Sequence, residues 1–246
     1  MRTAAALIIG NELLSGKIAE QNLFVLAKTL RSIGVKLCRV VMILDEMDVI
    51  VRELRELSRD HDLLFTSGGV GPTHDDLTIE AVARAFDAGI TLSAEIERLL
   101  RGYYGEAITE GHLLMARVPE GARLVSSVKV PWPTVVMRNV WVLPGVPEIF
   151  QMKMEQVKSE LQGDKPFVSF AVFTQLDEGE IKALLDRVVA AYPDVDIGSY
   201  PKWNEPRYKT KLTFDATSIE RAQAARDAFA DGLPEGTQVN IDLASA

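Results

Sequence analysis

The chain has 246 residues, enough for one large domain or for a medium domain followed by a small one. Hydrophobic residues make up 47% of it, a share that builds a sizeable core and excludes a disordered chain. With 27 Lys and Arg against 35 Asp and Glu the net charge is −8, which argues against a general binder of nucleic acid or anionic membrane but leaves room for a phosphorylated small molecule held by backbone N–H groups.

Residues 4–9 are a short apolar run ended by Gly10, the pattern of a strand buried on both faces. The run is too short for a signal peptide. Residues 18–33 carry Leu23, Leu26, Ala27, Leu30 and Ile33 at helical spacing, and Gly34 ends that helix. Residues 36–44 read as a second strand. Cys38, the only cysteine, lies in this apolar stretch and is expected to be a buried small hydrophobe. A single cysteine forms no internal disulfide, which fits a reducing, cytoplasmic setting. Residues 45–59 read as a helix, 62–66 as a strand, 77–86 as a helix and 93–104 as a helix capped by Ser93. Short β segments follow at 123–128 and 134–137. Residues 139–143 form another strand, and 146–161 a helix with Pro147 in its first turn. This alternation predicts a parallel sheet covered on both faces. After a linker at 162–166 the rhythm changes to strand 167–174, helix 178–192, strands 195–199 and 208–214, helix 218–233 and a last strand at 237–242. That βαββαβ order predicts a small ferredoxin-like domain. No run reaches the ~18 apolar residues a membrane span needs.

The segment Thr66-Ser67-Gly68-Gly69-Val70-Gly71-Pro72-Thr73-His74-Asp75-Asp76-Leu77 joins a strand's C-terminal end to a helix start, the place where open parallel sheets bind ligands. Gly68, Gly69 and Gly71 let a phosphate approach the backbone, whose N–H groups, with Ser67 and Thr73, donate to it. Asp75 and Asp76 supply hard oxygen ligands for a divalent cation and are the candidate catalytic pair. The alternative is a tight loop in which Asp75 or Asp76 caps the next helix. Asn22 and Gly145 lie at neighbouring strand ends as further ligand contacts, and Glu12 and Glu148 are candidate metal ligands. Glu12 and Asn22 also read as helix caps, and Glu148 as a first-turn carboxylate. His61, His74 and His112 read as surface residues. Tyr200, Trp203, Lys209 and Lys211 form an aromatic and basic cluster in the small domain, suited either to stacking on a ligand ring or to packing at an interface.

The run Gly68-Gly69-Val70-Gly71 followed by Asp76-Leu77-Thr78-Ile79-Glu80-Ala81 resembles the signature of the MoaB/MogA-like molybdenum-cofactor biosynthesis fold. Gly10-Asn11-Glu12-Leu13-Leu14-Ser15-Gly16 with Asn22, Val118-Pro119-Glu120-Gly121-Ala122 and Leu143-Pro144-Gly145-Val146-Pro147-Glu148 narrow the resemblance to the CinA-like branch, over residues 4–161. Val130-Pro131-Trp132-Pro133 departs from the bacterial pattern. It resembles instead the N-terminal domain of eukaryotic FAD synthases, as do Ile197-Gly198-Ser199-Tyr200-Pro201-Lys202-Trp203 and Tyr208-Lys209-Thr210-Lys211-Leu212-Thr213-Phe214. The resemblance implies an FAD-hydrolysing activity, or the ADP-ribose pyrophosphatase activity of CinA proteins. The FAD-forming and nicotinamide-mononucleotide-deamidating activities of those families lie in downstream domains and are not expected of these residues.

The expected architecture is therefore α/β. Residues 1–164 form a mainly parallel sheet with helices on both faces, and residues 165–246 a small α+β domain. The expected activity is metal-dependent hydrolysis of a dinucleotide diphosphate of the FAD or ADP-ribose class, with a divalent ion of the Mg, Mn or Co class. The alternative is a non-catalytic molybdopterin- or nucleotide-binding module. The expected partner is a phosphorylated nucleotide or pterin, with no nucleic acid and no membrane, and a homo-oligomer, dimer or trimer, is expected.

Overall fold

The computed structural model describes residues 1–161 and 165–239, and the chain divides into two units, Met1–Asp164 and Lys165–Ala246. The first unit runs β1 (Thr3–Ile9), α1 (Asn11–Leu14), α2 (Asn22–Ser32), β2 (Lys36–Ile43), α3 (Met47–Asp60), β3 (Leu63–Ser67) and α4 (Thr78–Ala85). It continues through β4 (Ile90–Leu92), α5 (Ala94–Tyr104), α6 (Glu110–Leu114), β5 (Arg117–Pro119), β6 (Arg123–Val125), β7 (Thr134–Met137), β8 (Val140–Leu143) and α7 (Pro147–Glu160). Six strands form one sheet in the order β2-β1-β3-β8-β7-β6. The first four are mutually parallel, and β7 and β6 continue antiparallel.

The alternation along β1 builds the core on both faces. Ala5, Leu7 and Ile9 pack with Ile50, Leu54 and Leu57 of α3 and with Ala81 and Val82 of α4. Ala4, Ala6 and Ile8 pack with Leu26 and Leu30 of α2 and with Phe150, Met154 and Val157 of α7. A strand with apolar side chains on both faces must lie inside a covered sheet, which is why residues 4–9 show no polar position. Register then fixes where the loops emerge. Ile9 lies beside Ile43, Ile8 beside Ser67, and Ser67 beside Leu143, so the four parallel strands end along one edge.

Two expectations are corrected here. Cys38 is exposed, not buried, because β2 is an edge strand whose middle residues face outward. The helix expected from residue 18 starts at Asn22. The Glu20 carboxylate accepts the N–H groups of Asn22 and Leu23 at 2.8 and 3.0 Å, so it fixes the helix start and leaves Ile18 in the preceding loop. Ser93 caps α5 as expected, accepting the Ile96 N–H at 3.2 Å.

The second unit runs β9 (Val168–Thr174), α8 (Glu178–Ala191), β10 (Asp196–Pro201), β11 (Thr210–Ala216), α9 (Ile219–Asp231) and β12 (Gln238–Val239). Its antiparallel sheet has the order β10-β11-β9-β12, the arrangement of a ferredoxin-like domain. Leu212 and Phe214 of β11 meet Ile181 and Val188 of α8 and Ala222, Ala225 and Phe229 of α9 in its core. Asp177 and Glu180 form a capping box on α8, and Ser218 caps α9. Linker residues 162–164 and the expected strand residues 240–242 lie outside the described residues. Among the described residues no helix is long and apolar enough to cross a membrane.

Candidate functional site

The common edge of β1, β2, β3 and β8 gathers Gly10, Asp45, the glycine loop and Pro144–Gly145, because each directly follows a parallel strand. Within the loop, close packing demands glycine. Gly68 has φ 105, and a Cβ there would lie 2.2 Å from the Ile9 carbonyl oxygen. Gly69 has φ 64, and its Cβ would meet the Thr78 hydroxyl at 2.5 Å. The Thr78 hydroxyl donates to the Gly68 carbonyl at 2.8 Å and the Thr78 N–H to the Gly69 carbonyl at 2.9 Å. Those two bonds pin the loop onto the start of α4. A Cβ on Gly145 would lie 3.3 Å from the Gly68 Cα, so the loops after β3 and β8 pass each other closely.

Asn22 ties these loops together. Its amide donates to the Ser67 hydroxyl at 2.9 Å and to the Gly145 carbonyl at 2.8 Å. Both side chains are buried, and Ser67 reaches the Pro144 carbonyl at 3.4 Å. Asn22, Ser67 and Gly145 are thus brought together at the base of the cleft. Their side-chain bonds hold two strand ends at a fixed separation.

The acidic part of the site is a tight turn. The Asp76 carboxylate accepts the Thr73 N–H at 2.7 Å, and the Thr73 hydroxyl lies 2.6 Å from Asp75 Oδ1 and 2.5 Å from Asp76 Oδ2. One hydroxyl proton between two carboxylates draws both side chains to the same point. Leu77 stands at the N-cap of α4, with no side-chain bond to the helix, so neither aspartate caps α4. Gly71 makes room for this turn, since a Cβ there would meet Asp76 Oδ2 at 2.6 Å. The hydrogen bond from Thr73 holds the Asp75 carboxyl below its ordinary range. Nearby, the Asp45 carboxyl is pushed up by burial, against the opposing Asn11 N–H, and the charges of Glu12 and Asp75 push it further.

A cleft of about 870 Å³ opens over this edge. Glu12, Asn22, Asp45, the glycine loop, Asp75 and Asp76 line it from the sheet edge, and Tyr103, Tyr104, Trp132, Pro133 and Lys153 line it elsewhere. Glu148 is exposed in the first turn of α7 and stands outside this lining. The His74 side chain is 96% exposed. His112 stacks on Tyr104 at 3.8 Å and takes part in the cap of α6, and His61 lies 3.0 Å from the Leu57 carbonyl. Among the described residues no three His, Cys, Asp or Glu side chains are arranged to hold a metal ion by themselves. Tyr200 and Lys211 face each other across the β10–β11 pair of the second unit, and Trp203 is exposed in the hairpin beyond them.

Sequence reasoning missed Asp45 and Lys153. Asp45 carries a positional signal, since it follows a parallel strand at the same edge as Gly10. Lys153 falls on the apolar face of α7 between Phe150 and Val157, where a charge is out of place. The Lys153 ammonium donates to the Trp132 and Pro133 carbonyls at 2.5 and 2.8 Å. Gln156 donates to the Val130 and Trp132 carbonyls and accepts from the Thr134 hydroxyl. These bonds hold residues 130–133, of which Trp132 and Pro133 line the cleft.

Residues 5–163 match the family model described as probable molybdopterin binding domain, and residues 166–242 that described as the middle domain of FAD synthase. A probable FAD synthase of Caenorhabditis briggsae is 31% identical, over 94% of this chain and 50% of that protein. The chain spans about half the length of that protein and of the Caenorhabditis elegans one, which is also 31% identical. A protein of Archaeoglobus fulgidus is 34% identical, over 92% of this chain and 95% of its own length. Among solved structures, the protein CinA of unknown function from Thermoplasma acidophilum superposes with a TM-score of 0.59 at 27% identity, over 65% of this chain and 98% of that one. Since the first of these matches runs through nearly the whole of the first unit, the chain belongs to the family of probable molybdopterin binding domains.

Proposed function

We propose that the first unit hydrolyses the diphosphate bond of a dinucleotide of the FAD or ADP-ribose class, aided by a divalent cation of the Mg, Mn or Co class. The observation that carries this reading is the convergence of Asp75 and Asp76 on one hydroxyl, beside a glycine loop at the C-terminal edge of four parallel strands. The names of the worm relatives and the match of the second unit to a FAD synthase domain support a nucleotide of the FAD class.

The glycine loop binds and orients the diphosphate. Its backbone is fixed before the ligand arrives by the bonds from Thr78, so little ordering is left to pay for on binding. The donor set suits a cation shared with the ligand better than a resident metal. One or two carboxylates completed by phosphate oxygens are the usual Mg²⁺ arrangement, and Asp75 and Asp76 supply such a pair. Glu12 and Asp45 stand beside them in the same cleft, while Glu148 stays outside it. Bound there, the cation would neutralise phosphate charge and acidify a water molecule. Asp45, whose carboxyl is raised by burial, lines the same cleft and would serve there as a proton acceptor.

One observation favours the second reading, a nucleotide- or pterin-binding module without turnover. Asp76 Oδ2 already closes the turn on Thr73, which is a structural task. Incubation of the chain with FAD, ADP-ribose or NAD and each cation, followed by chromatography, separates the two. Mononucleotide products support hydrolysis, and saturable binding without products supports the module. A homo-oligomer, dimer or trimer, belongs to the same proposal, and light scattering tests it.

A further inference from the structure

Lys153 is 4% exposed, midway along a helix whose buried face is otherwise apolar apart from Gln156. A buried ammonium is unfavourable unless an anion or a full set of hydrogen bonds compensates it. Two of its three N–H groups go to the Trp132 and Pro133 carbonyls. Gln156 already serves the same segment with neutral bonds, one of them to the same Trp132 carbonyl. Holding residues 130–133 therefore asks for a donor at position 153, not for a charge.

No carboxylate of the described residues stands as counter-ion. On α7 itself, Glu155 pairs with Lys129 and Lys158, Glu160 with Arg123, and Glu148 is exposed. On α2, which packs against α7, Lys28 lies over the Phe24 ring, and Arg31 is the other charged side chain. Neither β7 nor the segment 130–133 carries a charged side chain. Glu12, Glu20, Asp45, Asp75, Asp76, Glu80 and Arg117 also line the cleft, Glu80 pairs with Arg84 and Arg117, and none of the seven pairs with Lys153 among the described residues. The lysine nevertheless lines the cleft.

We propose that Lys153 is an anion-binding residue of this cleft, whose counter-ion is a phosphate oxygen of the bound dinucleotide. This rests on the reading of the cleft as a diphosphate site. Burial brings Lys153 down to about 7, so without an anion beside it part of the population is neutral near that pH. An anion beside it restores the ammonium, so ligand binding takes up a proton.

The test is calorimetry of α,β-methylene ADP-ribose, which cannot be cleaved at the diphosphate, on the whole chain. Two buffers of different ionisation enthalpy at about pH 8 report the protons exchanged. Wild type is expected to take up protons. Lys153→Met and Lys153→Gln are expected to lose that uptake and to bind about ten- to a hundredfold more weakly. Adenosine, which carries no phosphate, is expected to bind all three alike. Glutamine keeps donors for the two carbonyls, so it decides the matter should the methionine variant unfold. A glutamine variant that binds as tightly as wild type, or wild-type binding without proton uptake, overturns the role of Lys153 and leaves the diphosphate site standing. Wild type that binds no analogue at all overturns the diphosphate site and Lys153 with it.

Discussion

Replacing Asp76 by asparagine separates a chemical role from a structural one. In the folded chain Asp76 Oδ2 accepts the Thr73 N–H at 2.7 Å and lies 2.5 Å from the Thr73 hydroxyl. An asparagine carbonyl can accept both bonds, but without charge, and neutral bonds are roughly half as strong as charge-assisted ones. Because Asp76 is half-buried, solvent screens only part of that difference, and the variant is expected to lose about 0.5–1.5 kcal/mol of stability. Since neither aspartate caps α4, that loss belongs to the 73–76 turn and not to the helix. If Asp76 holds the cation, hydrolysis is expected to fall on the order of a hundredfold, with the cation dependence moved to higher concentration. The assay is product formation from FAD and ADP-ribose over a cation titration, with urea unfolding of the same preparation. Asp76→Ala is expected to show the same loss of rate with a larger loss of stability, because both bonds to Thr73 go. An asparagine variant with wild-type rate and wild-type cation dependence removes Asp76 from the mechanism and favours the binding module.

Gly68→Ala must place a Cβ 2.2 Å from the Ile9 carbonyl at φ 105, so a loss of roughly 2–4 kcal/mol is expected in urea unfolding. A variant with an unchanged midpoint would mean that the loop is not held as described. Asn22→Ala leaves the Ser67 hydroxyl and the Gly145 carbonyl without their shared donor, at about 1–3 kcal/mol, and kcat/KM is expected to fall as the strand ends drift. Equal stability and equal kcat/KM would deny Asn22 its clamping role. For Lys153 the folded pKa is about 7 against 10.5 for the free side chain, so between these values the unfolded chain binds more protons and stability rises with pH. The wild-type stability minus that of Lys153→Met is therefore expected to grow by up to about 1.4 kcal/mol per pH unit above pH 7 and to be flat below it. A difference that is flat throughout refutes the buried charge.

Local pattern predicts what depends on neighbours in sequence, and here that covered much of the fold. The unbroken apolar run 4–9 marks a strand covered on both faces, and β1 is buried from Ala4 to Ile9. The run around Cys38 has the same look, yet β2 lies at the edge of the sheet, with its middle exposed. Edge or centre is decided by which strand pairs with which, and no local pattern contains that. The early helix start failed for a related reason. Ile18 keeps the helical spacing, but the side chain of Glu20 takes the first N–H groups and sets the boundary at Asn22.

The candidate site divides along another line. The glycine loop is visible because glycine is rare where side chains are otherwise favoured, and room for phosphate is the motive its sequence suggests. Gly68 and Gly69 also answer to the Ile9 carbonyl and the Thr78 hydroxyl, so part of that signal is packing. Lys153 was equally visible in principle. It occupies the face of α7 set by Phe150, Met154 and Val157, where an ammonium opposes the burial that the neighbouring side chains favour. A residue that opposes its local pattern must be compensated by something outside that pattern. For Gln156 the compensation is present, in two carbonyls and a threonine hydroxyl. For Lys153 two carbonyls compensate the hydrogen bonds but not the charge, and the cleft it lines is where a phosphorylated ligand would supply the rest.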